Sequence, residues 1–282
     1  MNPGFETLGP LLLKKFRKKI VVVSSIRGLW SWEMGLRYSR RKFPIAKIPQ
    51  RILAYIESYT LQNADIVLSN GYDTKERYSP LTDKLIQVLP NGVDTTCFNS
   101  TKQASERKIK KIVTVASLSK IKGMNPLIES IAYLKEIYHQ DFSVEIIGGG
   151  DVNPFLKYSD SLSVRKYVSF LGERRDIPEL LQNADIVACL KDGGGISHSL
   201  LEAMASGKPI VAWNTRVYNQ VLTNRVNSLL IEKDNTKKVA EAFFELFGDE
   251  ELRKFLGKNA LVESKKYDWN IIIERFVSLV FS

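Results

Sequence analysis

Short β-branched and aliphatic runs alternate with segments of helical period along most of this chain, and that alternation constrains the fold more than any other feature. It is the grammar of βαβ units feeding a parallel sheet. In the second half the predicted strands are Lys111–Ala116, Ser143–Gly148, Tyr167–Leu171, Asp185–Leu190, Pro209–Trp213 and Ser228–Ile231. Helical segments fit between most of them. Asn125–Tyr138 carries Leu127, Ile128, Ile131 and Leu134 on one stripe, and Ser197–Ala205 is a second example. The first hundred residues read the same way with fewer strands: Ile20–Ile26, a helix ending near Gln62, then Asp65–Ser69 and Leu85–Leu89. The polar stretch 100–110 reads as a linker between the two parts.

One heptapeptide occurs twice. Leu61-Gln62-Asn63-Ala64-Asp65-Ile66-Val67 recurs residue for residue as Leu181-Gln182-Asn183-Ala184-Asp185-Ile186-Val187. Two readings stand: a pair of related Rossmann-like domains, or one αβ junction chemistry selected twice, since a Gln-Asn helix end, a small Ala and an apolar strand start suit such a junction anywhere.

With 282 residues, 44% hydrophobic and 26% charged, the chain has room for two compact domains, each with its own core. Cys97 and Cys189 are far apart and flanked by apolar residues, which predicts burial in a reducing compartment rather than a disulfide. Leu11-Leu12-Leu13 is too short for a signal core or a membrane span, so a cytoplasmic protein, soluble or peripheral at the inner face of the membrane, is expected. The charge is uneven. Residues 1–60 hold twelve basic residues against three acids, so +9 of the net +10 lies there. Such a face attracts an anionic membrane surface or a polyprenyl-phosphate acceptor, or is simply solvated. Nucleic acid is not expected, because no zinc spacing, RNP-like strand or homeodomain pattern accompanies the charge.

Three loops follow predicted strands and carry the candidate chemistry. Asp192-Gly193-Gly194-Gly195-Ile196-Ser197-His198-Ser199 opens a helix. Its glycines let backbone N–H groups approach a ligand, and the helix N-terminus brings roughly half a positive charge to a diphosphate. Ser197 or Ser199 is placed to cap that helix. Glu202 lies in its first turns, where a carboxylate either accepts hydrogen bonds from vicinal hydroxyls or merely complements the helix dipole. Ser117-Leu118-Ser119-Lys120-Ile121-Lys122-Gly123 sets a lysine before a glycine, a second anion site or a plain surface lysine. Gly148-Gly149-Gly150 suits a turn at the carboxyl edge of a sheet.

Other chemistries fail on spacing. Ser199 stands where a G-x-S-x-G elbow needs its second glycine, so a hydrolase triad is not expected. With only His139 and His198 in the chain, a zinc site lacks ligands and no metal is expected. Walker A and GxGxxG patterns are absent, which argues against kinase and dehydrogenase modules.

Taken together the loops resemble the retaining GT-B glycosyltransferases of the family 4 type, the glycosyl transferases group 1. The resemblance runs through Pro90-Asn91-Gly92-Val93-Asp94, Lys122-Gly123, Ile146-Ile147-Gly148-Gly149-Gly150, Phe170-Leu171-Gly172, Leu200-Leu201-Glu202-Ala203-Met204-Ala205-Ser206-Gly207-Lys208-Pro209 and Tyr267-Asp268-Trp269. It implies an α/β, GT-B-like fold of two Rossmann-like domains with parallel sheets, the N-terminal one incomplete. The expected domains are 1–99 on the acceptor side, a linker at 100–110, a nucleotide-sugar domain at 111–267, and a terminal helix at 268–282 crossing back to the first.

The implied activity is transfer of a sugar from a nucleotide-diphosphate donor to a glycan or lipid-linked acceptor, with retention and without cofactor or metal. Lys122 would hold the diphosphate and Glu202 the ribose hydroxyls. Gly194, Gly195, Ile196, Ser197, His198, Ser199, Ser117, Lys120 and Gly149 complete the expected donor site, and Arg27, after the strand Ile20–Ile26, is the N-terminal catalytic candidate. The chain departs from the family at three points. Gly194 stands where an acid usually precedes Glu202 by eight positions, with Asp192 displaced by two. Ser117 replaces an arginine five positions before Lys122, a loss for which Lys120 is the available substitute. The family's opening strand and glycine-rich turn are missing. The enzyme is expected to act alone or with a partner that supplies the missing N-terminal units; the alternative reading is a degenerate or truncated member that binds nucleotide or a protein partner without catalysis.

Overall fold

The computed structural model describes residues 5–17, 20–27, 50–98, 109–119, 122–191 and 195–281. The linker expected at 100–110 lies mostly outside them, as do Lys120, Asp192 and Gly194. The described residues form two compact units. One comprises those up to Asn91 with Gly195–Ile196 and the helix from Asn270; the other runs from Gly92 to Lys191 and from Ser197 to Trp269.

The first unit is a three-stranded parallel sheet, β1 (Val23–Ile26), β2 (Ile66–Ser69) and β3 (Ile86–Val88), in that spatial order. Helices Phe5–Phe16, Gln50–Asn63 and Tyr72–Tyr78 accompany it. Leu11, Val22, Ile26, Leu61, Val67, Tyr78 and Ile86 share its core. Within that core Glu57 is 1% exposed, and its Oε1 accepts the Tyr78 hydroxyl at 2.6 Å.

The second unit is a six-stranded parallel sheet: β4 (Lys110–Val115), β5 (Phe142–Ile147), β6 (Val168–Gly172), β7 (Ile186–Cys189), β8 (Ile210–Trp213) and β9 (Leu229–Ile231). The spatial order is β6-β5-β4-β7-β8-β9. Counted from β4 this is 3-2-1-4-5-6, the doubly wound order of dinucleotide-binding sheets. Helix Met124–Ile137 pairs with Thr236–Gly248, and helix His198–Ala205 with Glu250–Ser264. The stripe Leu127, Ile128, Ile131 and Leu134 is buried to 1% exposure or less, each side chain contributing about 1.5–3 kcal/mol by leaving water.

The repeated heptapeptide makes the same junction in each unit. Asp65 N–H donates to Val22 O and Asp185 N–H to Lys111 O, both at 2.9 Å. Each aspartate returns the bond: Val22 N–H donates to Asp65 Oδ2 and Lys111 N–H to Asp185 Oδ2, both at 2.8 Å. The carboxylate thus satisfies a backbone donor at the start of the neighbouring parallel strand, which the ladder leaves unpaired. Leu61 and Leu181 anchor the two helix ends in their cores, both fully buried.

The cysteines form no disulfide. Cys97, expected to be buried, is exposed: on the short helix Thr95–Phe98 it is Phe98 that turns inward.

Candidate functional site

β4 and β7 lie side by side, and the chain leaves them in opposite directions along the sheet order. A crevice opens between such divergent connections at the carboxyl ends of the strands. Here it is a cavity of about 340 Å³, within the range of small-molecule sites. Thr114 and Ser117 line it from the end of β4, Gly148 from the end of β5, and Cys189 and Lys191 from the end of β7. Lys122, Ser197, His198, Ser199, Glu202 and Tyr218 complete its wall.

Two glycines let the walls close up. Gly123, at φ +79°, turns the Lys122 loop into helix Met124–Ile137, and a Cβ there would stand 2.1 Å from Leu190 O. Gly148, at φ +150°, lies as tightly on the Ala116 carbonyl. The loop ends are also laced together: Ala116 N–H donates to Ile147 O, Leu118 N–H to Gly149 O and Gly148 N–H to Gly172 O, at 2.8–2.9 Å. Thr114 Oγ1 donates to Ala188 O at 2.9 Å and fastens β4 to β7 beneath the cavity.

Helix His198–Ala205 starts on Ser197, whose hydroxyl accepts Leu200 N–H at 3.3 Å and lies 3.2 Å from Ser199 Oγ. The cap is therefore Ser197. His198 Nδ1 sits 3.3 Å from Gly92 O, and its ring lies 6.3 Å from that of Trp269. The segment Gly92–Thr95 is itself paired with Tyr267–Trp269: Val93 N–H donates to Tyr267 O, Trp269 N–H to Val93 O, and Thr95 Oγ1 to Asp268 Oδ2 at 2.6 Å. Two motifs far apart in sequence thus meet behind the site helix.

The cavity carries charge of both signs. Lys122 is half-buried at one wall and makes no ion pair among the described residues, and the first turn of the site helix adds its partial positive charge. Glu202 faces the same cavity from the second turn, and burial raises its pKa. Burial, then the Glu202 carboxylate, push the Cys189 thiol up to about 12, which leaves it inert as a nucleophile. Such a site offers a cation, a helix N-terminus and a carboxylate to a ligand that carries both phosphates and hydroxyls. Among the described residues no group of three or more His, Cys, Asp and Glu side chains is placed to share a metal ion.

Of the residues expected in the donor site, Ser117, Lys122, Ser197, His198, Ser199 and Glu202 come together at this cavity. Gly149 does not line it but supports the Ser117 loop through Leu118. Gly195 and Ile196 belong to the first unit, where Asp73 Oδ2 accepts Gly195 N–H at 3.1 Å and Asn91 Nδ2 donates to Ile196 O at 2.7 Å. Arg27, also in the first unit, is exposed just after β1, with Nε 3.4 Å from Ser25 Oγ. Thr114, Lys191 and Tyr218 were missed by sequence reasoning, although their place near the carboxyl ends of β4, β7 and β8 was the available signal.

Residues 98–262 match the sequence profile of the family described as glycosyl transferases group 1. Over 158 residues the chain is 35% identical to the N,N'-diacetylbacillosaminyl-diphospho-undecaprenol alpha-1,3-N-acetylgalactosaminyltransferase of Campylobacter jejuni, covering 56% of this chain and 41% of that protein. Over 241 residues it is 26% identical to the D-inositol 3-phosphate glycosyltransferase of Corynebacterium jeikeium, covering 77% of this chain and 57% of the relative. The chain thus spans about half the length of these curated relatives. The crystal structure of Anabaena HepE in complex with UDP and glucose superposes with a TM-score of 0.82 at 19% identity, covering 98% of this chain and 75% of that one. That likeness is one of fold: α/β, GT-B-like, with parallel sheets.

Proposed function

Because the chain belongs to the glycosyl transferases group 1 family, we propose that it moves a sugar from a nucleotide-diphosphate donor to a glycan or lipid-linked acceptor, with retention and without a metal ion. The observation that carries this reading is the convergence of Lys122, the capped N-terminus of helix His198–Ala205 and Glu202 on one cavity at the switch between β4 and β7.

In the donor complex the Lys122 ammonium and the first-turn N–H groups take the diphosphate. They bind it most strongly when the bond to the sugar breaks and negative charge gathers on the leaving phosphate. A preorganised group of this kind lowers a barrier by about 3–4 kcal/mol. Glu202, ionised, accepts hydrogen bonds from the two ribose hydroxyls and fixes the nucleotide lengthwise. Ser117, Ser197, His198 and Ser199 offer further polar contacts to the phosphates and the sugar, and Gly149 holds the Ser117 loop in place through Leu118. The bond from the anomeric carbon to the diphosphate oxygen breaks on the same face on which the acceptor hydroxyl bonds, and the hydroxyl proton passes to the departing phosphate oxygen, which gives retention with no protein nucleophile.

Arg27 is the N-terminal catalytic candidate, and a protein partner is the candidate source of the N-terminal units that other family members carry. The undecaprenol-linked substrate in the name of the Campylobacter relative favours a lipid-linked acceptor and a place at the inner membrane face.

The test is release of nucleoside diphosphate from a panel of nucleotide sugars in the presence of a polyprenyl-phosphate-linked acceptor. Turnover abolished by Glu202→Ala supports the reading. Nucleotide binding without turnover on any acceptor means instead a member that only binds, a reading favoured by Ser117 and Gly194 at positions where the family usually carries charge. No stabilisation by any nucleotide sugar sinks both.

A further inference from the structure

Helix Phe5–Phe16 packs on the first unit by one face. Thr7 is fully buried and Leu11 8% exposed, yet Leu12 and Leu13 are each 58% exposed and Phe16 86%. At about 100° per residue, with Leu12 as origin, Phe16 falls near 40° and Leu13 near 100°, roughly opposite Thr7 near 220° and Leu11 near 260°. The three apolar side chains therefore share a face turned away from the packed one. Lys15 and Arg17, at about 300° and about 140°, border that face on its two sides, and both are exposed. Arg17 keeps the helical course, its N–H donating to Leu13 O at 3.0 Å. Lys14 belongs to the packed side, where it pairs with Asp65. Glu6, exposed and near 120° on the same wheel, lies at the Arg17 edge of that face but in the first turn, about 15 Å along the axis from Phe16, where an acid complements the helix dipole.

Single exposed leucines are ordinary on a protein surface. Three large apolar side chains on one helix face, bordered on both sides by cations, form the pattern of a helix lying in a lipid interface. We propose that this helix docks on an anionic bilayer, with Leu12, Leu13 and Phe16 at the acyl boundary and Lys15 and Arg17 on headgroup phosphates. Charge complementarity selects this occupant: an apolar groove on a protein would cover the three side chains and leave both bordering cations unmatched, whereas an anionic bilayer serves both. The first sixty residues carry +9 of the net charge, which adds long-range attraction to the same surface. Twelve residues reach about 18 Å, short of a hydrocarbon core of about 30 Å, so the helix lies along the membrane. Only its purpose, delivery of the enzyme to a lipid-linked acceptor, rests on the proposed function.

Vesicle co-sedimentation of the full chain tests the docking without any acceptor. The vesicles are phosphatidylcholine with or without about one-third phosphatidylglycerol. Binding is expected only to the anionic vesicles. The pair Lys15→Gln and Arg17→Gln should weaken it about 25-fold, roughly fivefold for each cation. The triple change Leu12→Ser, Leu13→Ser and Phe16→Ser should weaken it at least tenfold. Nucleoside-diphosphate binding and thermal melting should stay at the wild-type level in both variants, which separates failure of docking from failure of the donor site. Three results overturn the proposal. One is absence of wild-type binding to anionic vesicles at low salt, and another is equal binding by the triple variant. The third is a wild-type dimer, broken by the triple variant, that ignores vesicles, since a second copy would then occupy the face.

Discussion

Replacing Gly123 by alanine probes the step that brings the Lys122 loop against the end of β7. Gly123 has φ +79°, where an L side chain costs about 1–2 kcal/mol. The added Cβ would also stand 2.1 Å from Leu190 O and 2.5 Å from Leu190 C, backbone atoms that cannot rotate away. Gly172 supplies the control: its φ is +68°, and nothing lies within 4 Å of its ideal Cβ. Gly172→Ala should therefore lose about 1–2 kcal/mol, and Gly123→Ala about 3–5 kcal/mol once overpacking adds its share. At about 2–4 °C per kcal/mol for a domain of this size, Gly123→Ala should melt roughly 6–20 °C lower than wild type. Relief requires the loop to retreat by about 1 Å, and it carries Ser117 and Lys122 with it, a displacement large enough to cost catalytic geometry heavily. Differential scanning fluorimetry and titration with a nucleoside diphosphate read the two effects. Affinity should fall about tenfold in Gly123→Ala and stay put in Gly172→Ala. Equal melting and equal affinity of the two variants would refute the claim that this close approach builds the site.

Three further outcomes follow from the same geometry. Burial raises the Glu202 pKa, so the folded chain holds that proton to higher pH than the unfolded chain, and stability declines as pH rises from about 4.3 through the raised value; Glu202→Gln should melt above wild type at neutral pH, the gap closing in acid, while nucleotide affinity falls about 10- to 100-fold. Lys122→Ala should weaken a nucleoside diphosphate by about 10- to 100-fold and leave the nucleoside nearly unaffected, which calorimetric titration of the two ligands distinguishes. Asp185→Ala should lower stability by about 1–3 kcal/mol in denaturant melts by orphaning Lys111 N–H, and Asp65→Ala should act likewise on Val22 N–H, because the repeated heptapeptide makes the same bonds twice.

The strands of the second unit were legible because each is an apolar run between polar loops: Ile210–Trp213 and Leu229–Ile231 fall inside their predicted spans, and of the two serines expected to cap the site helix it is Ser197 that does. The terminal helix, which the family resemblance put at 268–282, spans Trp269–Phe281. Strand order was not legible, since it is set by which apolar faces pair and not by any local pattern. Without it, nothing in the sequence puts Thr114 beside Ala188, or Tyr218 at the wall with Glu202. The choice between a dipole-complementing glutamate and a cavity-facing one also needed the fold, because both start from the same helix position. Helix Phe5–Phe16 escaped the sequence reading for a physical reason: its Leu11-Leu12-Leu13 run puts one leucine inward and two outward, so no single apolar stripe marks it.

The central claim is that the cavity between β4 and β7 grips a nucleoside diphosphate through Lys122 and Glu202. Calorimetric titration of UDP, ADP and GDP into wild type, Lys122→Ala, Glu202→Gln and the double variant tests it most directly. The account predicts saturable binding of at least one of them, weakened by each single change and lost in the double variant with its melting transition retained. Binding that both substitutions leave untouched, or no binding of any of the three, would contradict it.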